Sequence, residues 1–428
     1  MKIQELITKI SEGYLDSAFV SLYGEENVSA ERARYTEAVK EFAAIYGEDR
    51  DVNLFSVPGR SEISGNHTDH NRGCVIAAAI DLDIIAVASM SGNDTVRVKS
   101  KGFPEDVVTC NPEKPDEKLF NSSSSLISGV CAGFKNRGYN VCGFDAYTTS
   151  NVLKGSGISS SAAFEVMIGN ILNYFVNDGK ISNPVIAEIS QYAENVYFGK
   201  PSGLMDQTAC AVGGFSYIDF ADPKAAKIEK LGFDLSAEGY SLCITNTGGN
   251  HADLTGDYAA VPAEMKAVAK EFGQEVLRGI DKETLLSRAG ELREKLGDRA
   301  LLRAFHFIGE NDRVQVLAEC LRNGDLNGFF NGVKDSGRSS FMWLQNVYTT
   351  KNVEEQGLSL ALAVTEYALT NTSRPSAWRI HGGGFAGTIQ AFVPNEDVPN
   401  YKKEIERVFG ENSCTVLKVR KDGAIKVL

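Results

Sequence analysis

Gly155-Ser-Gly-Ile-Ser-Ser-Ser-Ala-Ala163, running on into Phe164-Glu-Val-Met167, is a glycine-rich turn that feeds a helix. Glycines let backbone N–H groups come close to an anion. The serines can cap the helix, and residues 162–167 read as its first turns. A loop of N–H groups at a helix N-terminus is a phosphate cradle. It is not a Walker A loop, because no Gly-Lys-Ser/Thr closes it. An ordinary capped loop is the alternative, and the rest of the chain decides between the two.

Three other segments belong with it. Pro58-Gly-Arg60-Ser-Glu-Ile-Ser-Gly65-Asn66-His67-Thr-Asp69-His70-Asn-Arg-Gly73 crowds polar side chains into a turn-rich loop after a strand. A carboxylate there can accept from two neighbouring hydroxyls while His and Asn add directional bonds, which suits a polyhydroxylated ligand. A polar surface loop is the plain alternative. A metal site on His67 and His70 would need further ligands that nothing in the sequence supplies. Ala193-Glu194-Asn-Val-Tyr-Phe-Gly199-Lys-Pro-Ser-Gly203-Leu-Met-Asp206-Gln207 places two carboxylates twelve residues apart across a Gly-Pro-Gly turn. Phosphoryl transfer needs one carboxylate near a metal and one near the attacking hydroxyl. Otherwise they are a solvated helix-end Glu and a helix-capping Asp. Arg379-Ile-His-Gly382-Gly-Gly384-Phe-Ala-Gly387 lets two backbones, or a backbone and a ligand, approach closely.

The composition sets the frame. A chain of 428 residues is long enough for two domains. With 44 Lys+Arg against 56 Asp+Glu the net charge is −12, and no Lys/Arg run forms a basic patch, which argues against nucleic acid. Eight cysteines without a Cys-x-x-Cys pair read as reduced thiols, neither a disulfide framework nor a zinc site. The opening Met-Lys-Ile-Gln-Glu-Leu-Ile lacks a signal-peptide core, and no apolar run is long enough to span a membrane. A cytoplasmic protein is expected.

Periodicity predicts helices over residues 2–47 with breaks at Gly13 and Gly24, and a strand Val52–Val57 stopped by Pro58-Gly59. Cys74–Met90 reads as β-rich stretches interrupted by Asp81 and Asp83. Helices follow near 160–175 and 184–198, then strands at Phe215–Phe220 and Tyr240–Thr245. Residues 262–333 are helix-rich, and strands return at Thr388–Val393, Thr415–Val419 and Ala424–Leu428. The expected class is α+β in two closely packed domains, 1–220 and 221–428, the boundary lying somewhere near 210–240.

Together the four segments resemble the galactokinase family of the GHMP small-molecule kinases. Gly59–Gly73 is similar to its opening motif, Gly155–Ala162 to its phosphate loop, and Ala193–Gln207 matches in spacing and nearly in letters. Gly382–Gly387 fits its C-terminal glycine motif. Asn246-Thr-Gly-Gly-Asn-His251 with Tyr258, and Arg303-Ala-Phe-His306 with Glu310-Asn311, also fit. The resemblance implies mixed sheets packed with helices, an active site in the cleft between domains, and a sugar 1-kinase using ATP and Mg²⁺. Asp206 would accept or orient the proton of the anomeric hydroxyl, with Arg60 holding Asp206 ionised. Ser161 and Glu194 would hold Mg²⁺. Gly155, Ser156, Gly157, Ile158, Ser159, Ser160 and Ser161 would cradle the triphosphate. Asn66, His67, Asp69, Gly203 and Tyr258 would line the sugar pocket. The resemblance names small-molecule partners only, with no nucleic acid or membrane, and leaves the oligomeric state open.

This sequence departs from the family pattern in several places. Asn66 stands where the family usually has a Glu that contacts the far hydroxyl of the sugar, and His70 stands where a Tyr is usual. Val261-Pro262 replaces an Arg-Arg pair, Ser336-Gly337 a Ser-His pair, and Ser123 an aromatic that frames adenine. Galactose is the leading substrate; N-acetylgalactosamine, galacturonate and arabinose are alternatives fed by Asn66. A non-catalytic sugar and ATP sensor is a third reading. Sensor relatives lack a Ser-Ala pair in the phosphate loop, whereas Ser161-Ala162 is present here.

Overall fold

In the computed structural model, residues 1–152, 160–200, 202–222, 225–249, 254–372 and 374–428 are described. The N-terminal segment forms three helices, α1 (Ile3–Ser11), α2 (Asp16–Tyr23) and α3 (Val28–Tyr46). Gly24, at φ +88°, ends α2 in a conformation that L side chains rarely adopt. Phe19, Tyr35 and Phe42 of these helices are fully buried against Leu54, Ile85 and Val87. Each such side chain contributes about 1.5–3 kcal/mol of burial free energy.

The sheet beneath is built from β1 (Asn53–Ser64), β2 (Cys74–Met90), β3 (Thr95–Ser100), β4 (Glu105–Thr109) and, after helix α4 (Ser123–Asn136), β5 (Phe144–Ser150). Side chains alternate across these strands. Leu54, Ile85 and Val87 face α1–α3, while Phe55, Val57, Ala86 and Ala88 face the main core. Two expectations fail here. β1 does not stop at Pro58-Gly59, and Asp81 and Asp83 do not interrupt β2. A bulge resolves both: the register passes from Pro58 opposite Asp83 to Arg60 opposite Ala79. Such a bulge re-aims the following side chain. Asp83 is tolerated because it accepts from Tyr23 Oη at 2.6 Å and Arg34 Nη1 at 2.7 Å, with Arg420 beside it. Burial alone would push its carboxyl up, but the Arg34 and Arg420 guanidiniums outweigh burial and hold it low.

Helices α5 (Ser160–Val176), α6 (Asn183–Tyr192) and α7 (Met205–Val212) line the inner face, with a π-helical turn Ala193–Phe198 after α6. Strands β6 (Phe215–Asp219) and β7 (Lys227–Leu231) add to β2 on the N-terminal side of its bulge. A second sheet begins with β8 (Tyr240–Asn246). Helices α8 (Thr255–Glu271), α9 (Lys282–Ser287), α10 (Ala289–Leu296), α11 (Asp298–Asn323), α12 (Leu326–Ser339) and α13 (Gly357–Leu369) follow. The helix-rich part thus starts earlier than residue 262, and α8 runs through Pro262. Strands β9 (Ala377–His381) and β10 (Thr388–Pro394), helix α14 (Val398–Phe409) and strand β11 (Cys414–Leu417) complete the second sheet, in order β11-β8-β10-β9. Strand β12 (Ile425–Lys426) returns to pair with β1 in the first sheet. The first sheet is mixed, β3 and β5 pairing in parallel. The result is an α+β fold with two sheet systems. None of the eight cysteines is in a disulfide. Among the described residues, no helix is long and apolar enough to cross a membrane.

Candidate active site

The β1 bulge delivers Arg60 to the first turn of α7. Its guanidinium grips Asp206 with both arms, Nε to Oδ1 at 2.7 Å and Nη2 to Oδ2 at 2.8 Å. A two-armed contact fixes the carboxylate plane as well as its position. The Arg60 side chain is 10% exposed and that of Asp206 29%, so the acid is partly exposed. His381 lies behind this pair. Burial pushes its imidazole down to about 3, the Arg60 and Arg379 charges adding to the effect, and Nδ1 pairs with Thr388 Oγ1 at 2.9 Å.

The loop after β1 curls against the two glycine-bearing turns. Asp69 Oδ1 accepts from the His70 N–H at 2.9 Å. A Cβ placed on Gly203 would lie 2.8 Å from Asp69 Oδ2, so glycine is what allows this approach. Burial raises the Asp69 carboxyl, and His67 partly offsets it. His67, at φ +57°, brings Nε2 within 3.0 Å of the Gly383 carbonyl. Tyr258, one turn into α8, donates from Oη to the Gly384 carbonyl at 2.9 Å and stands edge-on to Phe385.

Asn66 is engaged with the protein itself. It is 1% exposed; Nδ2 donates to Glu62 Oε1 at 2.9 Å and the Gly382 carbonyl at 2.7 Å. Its Oδ1 accepts from Asn346 Nδ2 at 2.7 Å. Both amide hydrogens are thus spent on protein, and the side chain pins the glycine turn to the polar loop.

Helix α11 supports this loop from behind. Glu310 Oε1 accepts from Ser64 Oγ and the Gly65 N–H, each at 2.9 Å, and from Ser336 Oγ at 2.5 Å. His306 Nε2 lies 3.0 Å from the Asn66 carbonyl, and Asn311 Oδ1 accepts the Cys74 N–H at 3.0 Å. Burial works against the Glu310 charge, but Arg313 and Arg379 outweigh it and hold the carboxyl down at about 2. Gly337, where the family pattern has a bulkier residue, leaves room for the fully buried Arg379.

Glu194 sits in the π-helical turn, 3% exposed. Such turns recur at functional sites. Gln207 Nε2 bridges its Oε2 at 2.7 Å to Glu165 Oε2 at 3.2 Å. Burial, and then the charge of Glu194, raises the Glu165 carboxyl well above the usual range. Its Oε1 and Gln207 Oε1 are buried with no hydrogen-bond partner among the described residues. Ser160 and Ser161 open α5 and are partly exposed. Gly155, Ser156, Gly157, Ile158 and Ser159, with Lys154 and His251, lie outside the described residues.

Sequence reasoning missed Glu165, Gln207, Lys200 and Asn346. An acid inside the apolar run 162–167 and a glutamine beside Asp206 were the available signals for the first two. Nothing local marks Asn346, which meets Asn66 across 280 residues of chain.

Known proteins carry the same architecture. Residues 125–214 match the family described as GHMP kinases N terminal domain, and residues 40–90 the galactokinase galactose-binding signature. The crystal structure of Lactococcus lactis galactokinase, solved with galactose, superposes at a TM-score of 0.74 with 23% identity, over 92% of this chain and all of that one. Streptococcus pneumoniae phosphomevalonate kinase, in a complex with phosphomevalonate and AMPPNP, gives 0.56 at 12% identity over 87% of this chain and 99% of that one. The fold is that of the GHMP small-molecule kinases. A curated galactokinase from Actinobacillus pleuropneumoniae serotype 3 is 31% identical over 86% of this chain and 92% of its own. One from Streptomyces coelicolor is 29% identical over 86% and 91%. The chain belongs to the galactokinase family, and is a sugar kinase that transfers a phosphoryl group to an alcohol.

Proposed function

We propose that this chain transfers the γ-phosphoryl group of ATP to the anomeric hydroxyl of galactose, giving galactose 1-phosphate and ADP. The sugar O–H bond breaks and an O–P bond forms; the bond from the γ-phosphorus to the bridging oxygen breaks, and ADP departs. The observation that carries the reading is the two-armed Arg60–Asp206 contact, which orients a partly exposed Asp206 carboxylate, with the Asp69–Gly203 approach in the same motifs. Asp206 takes or orients the departing proton. Arg60 favours the carboxylate form and counters charge that develops on the reacting oxygens. Asp69, His67, the Gly203 backbone and Tyr258 line the sugar pocket in this reading. Asn66 acts behind them, by anchoring the glycine turn.

Mg²⁺ fits the oxygen donors present. Glu194 is a buried carboxylate whose Oε1 already attracts a cationic side chain, at 3.0 Å. Among the described residues no group of three His, Cys, Asp or Glu could hold a metal. Mg²⁺ is typically held by one or two carboxylates plus substrate phosphates and water. Glu194 and Ser161 would hold it, and the ion would neutralise phosphate charge. The loop 155–161 would cradle the triphosphate at the start of α5. The chain would divide near residue 220, with 425–428 crossing back to the first sheet. A cytoplasmic location belongs to the same reading, since reduced cysteines suit a reducing compartment.

The test is ADP release with Mg-ATP on galactose, N-acetylgalactosamine, galacturonate, arabinose and glucose. Turnover on galactose is expected, with kcat lowered by about 10²–10⁴-fold in Asp206→Asn. Turnover only on another sugar would redirect the substrate assignment. Sugar and ATP binding without ADP release would replace the kinase with a sensor.

A further inference from the structure

Glu194 is held unequally at its two oxygens. Oε2 accepts from two donors of the protein, Ser202 Oγ and Gln207 Nε2, each at 2.7 Å. Oε1 meets the ammonium of Lys200 at 3.0 Å. The carboxylate is 4% exposed, whereas the Lys200 side chain is 59% exposed. A buried carboxylate without a countercharge is costly, so some cation belongs on Oε1 at all times. Lysine is suited to a removable one, because its point charge rides on a flexible, solvated stem.

The backbone places this charge deliberately. Gly199, at φ +81°, turns the chain back after the π-helical turn, and the Lys200 N–H donates to the Glu194 carbonyl at 3.1 Å. The ammonium therefore returns over the carboxylate six residues upstream. Neither Asp206 nor Arg60 takes part in this contact.

We propose that Lys200 is the resident countercation of Glu194 and competes with the divalent ion for Oε1. When the metal enters, the ammonium leaves for solvent; when the metal leaves, it returns. Position 200 thereby sets the metal affinity of the site without touching the sugar or the reacting oxygens. The inference rests on Glu194 being the metal carboxylate, and the experiment separates failure of that reading from failure of this one.

Mn²⁺ binding is measured by electron paramagnetic resonance without nucleotide or sugar, on the wild type, Lys200→Met, Lys200→Arg and Glu194→Gln. Thermal unfolding with and without Mn²⁺ is recorded in parallel. Lys200→Met is expected to bind Mn²⁺ about two- to fivefold more tightly, the factor that a partly exposed ion pair carries. It should also show a larger Mn²⁺-induced rise in Tm. Lys200→Arg should match the wild type, and Glu194→Gln should lose most of the binding. Equal or weaker binding by Lys200→Met, with Glu194→Gln still defective, overturns the role of Lys200 and leaves the metal reading standing. Unchanged binding by Glu194→Gln overturns both. Absence of any Mn²⁺ signal or Tm shift in both the wild type and Lys200→Met also overturns the competition.

Discussion

Glu310→Gln removes the charge behind the sugar loop while keeping its shape. Glu310 is fully buried and receives Ser64 Oγ, the Gly65 N–H and Ser336 Oγ, with Arg313 and Arg379 as its counterions. Its carboxyl is displaced from an ordinary 4.5 to about 2, which at about 1.4 kcal/mol per tenfold contributes about 3 kcal/mol at neutral pH. Breaking a buried ion pair from one side costs about 3–5 kcal/mol by an independent route. Because the folded state holds the proton less tightly, this stability is fully present above pH 4.5 and is lost as pH falls toward 2. Urea unfolding followed by circular dichroism should therefore show wild type more stable than Glu310→Gln by about 3 kcal/mol at pH 7, and by less than half of that at pH 3. The KM for sugar should rise as well, since Ser64 and Gly65, next to Asn66 and His67, lose their charged acceptor on α11. A gap within about 0.5 kcal/mol at pH 7, or one that does not change between pH 7 and pH 3, would refute the reasoning.

Two further outcomes follow from the site geometry. Gly203→Ala puts a methyl 2.8 Å from Asp69 Oδ2 and must displace that carboxylate, so kcat/KM for sugar should fall about tenfold or more with Tm nearly unchanged; an unaffected KM would separate Gly203 from the sugar pocket. Arg60→Lys keeps a positive charge but replaces the two-armed grip on Asp206 with a single point charge. Steady-state kinetics should show kcat down about 10–100-fold with KM for sugar little changed, and wild-type kcat would mean that the geometry of the fork is immaterial.

Local chemistry made much of this protein legible. Helices α1–α3 are marked by apolar spacing and by glycines at their breaks, and α5 by an apolar run that opens on serines. Arg60, Asp69 and Asp206 stood out as polar and acidic groups crowded into turn-rich motifs, and Gly203 was singled out only through the resemblance to the family. What lay beyond reach was partnership. Asp83 reads as a strand breaker in the sequence, yet Arg34 and Arg420, drawn from both ends of the chain, neutralise it inside β2. Asn66 reads as a ligand contact, yet Asn346 and the Gly382 carbonyl claim its amide. By itself the sequence determined which groups are available and which turns they occupy, because capping, periodicity and glycine conformation act over a few residues. Only the tertiary structure decided which groups face the cleft and which are consumed in holding it together. A buried polar atom must find a partner, and that partner is supplied by whatever segment folding brings against it.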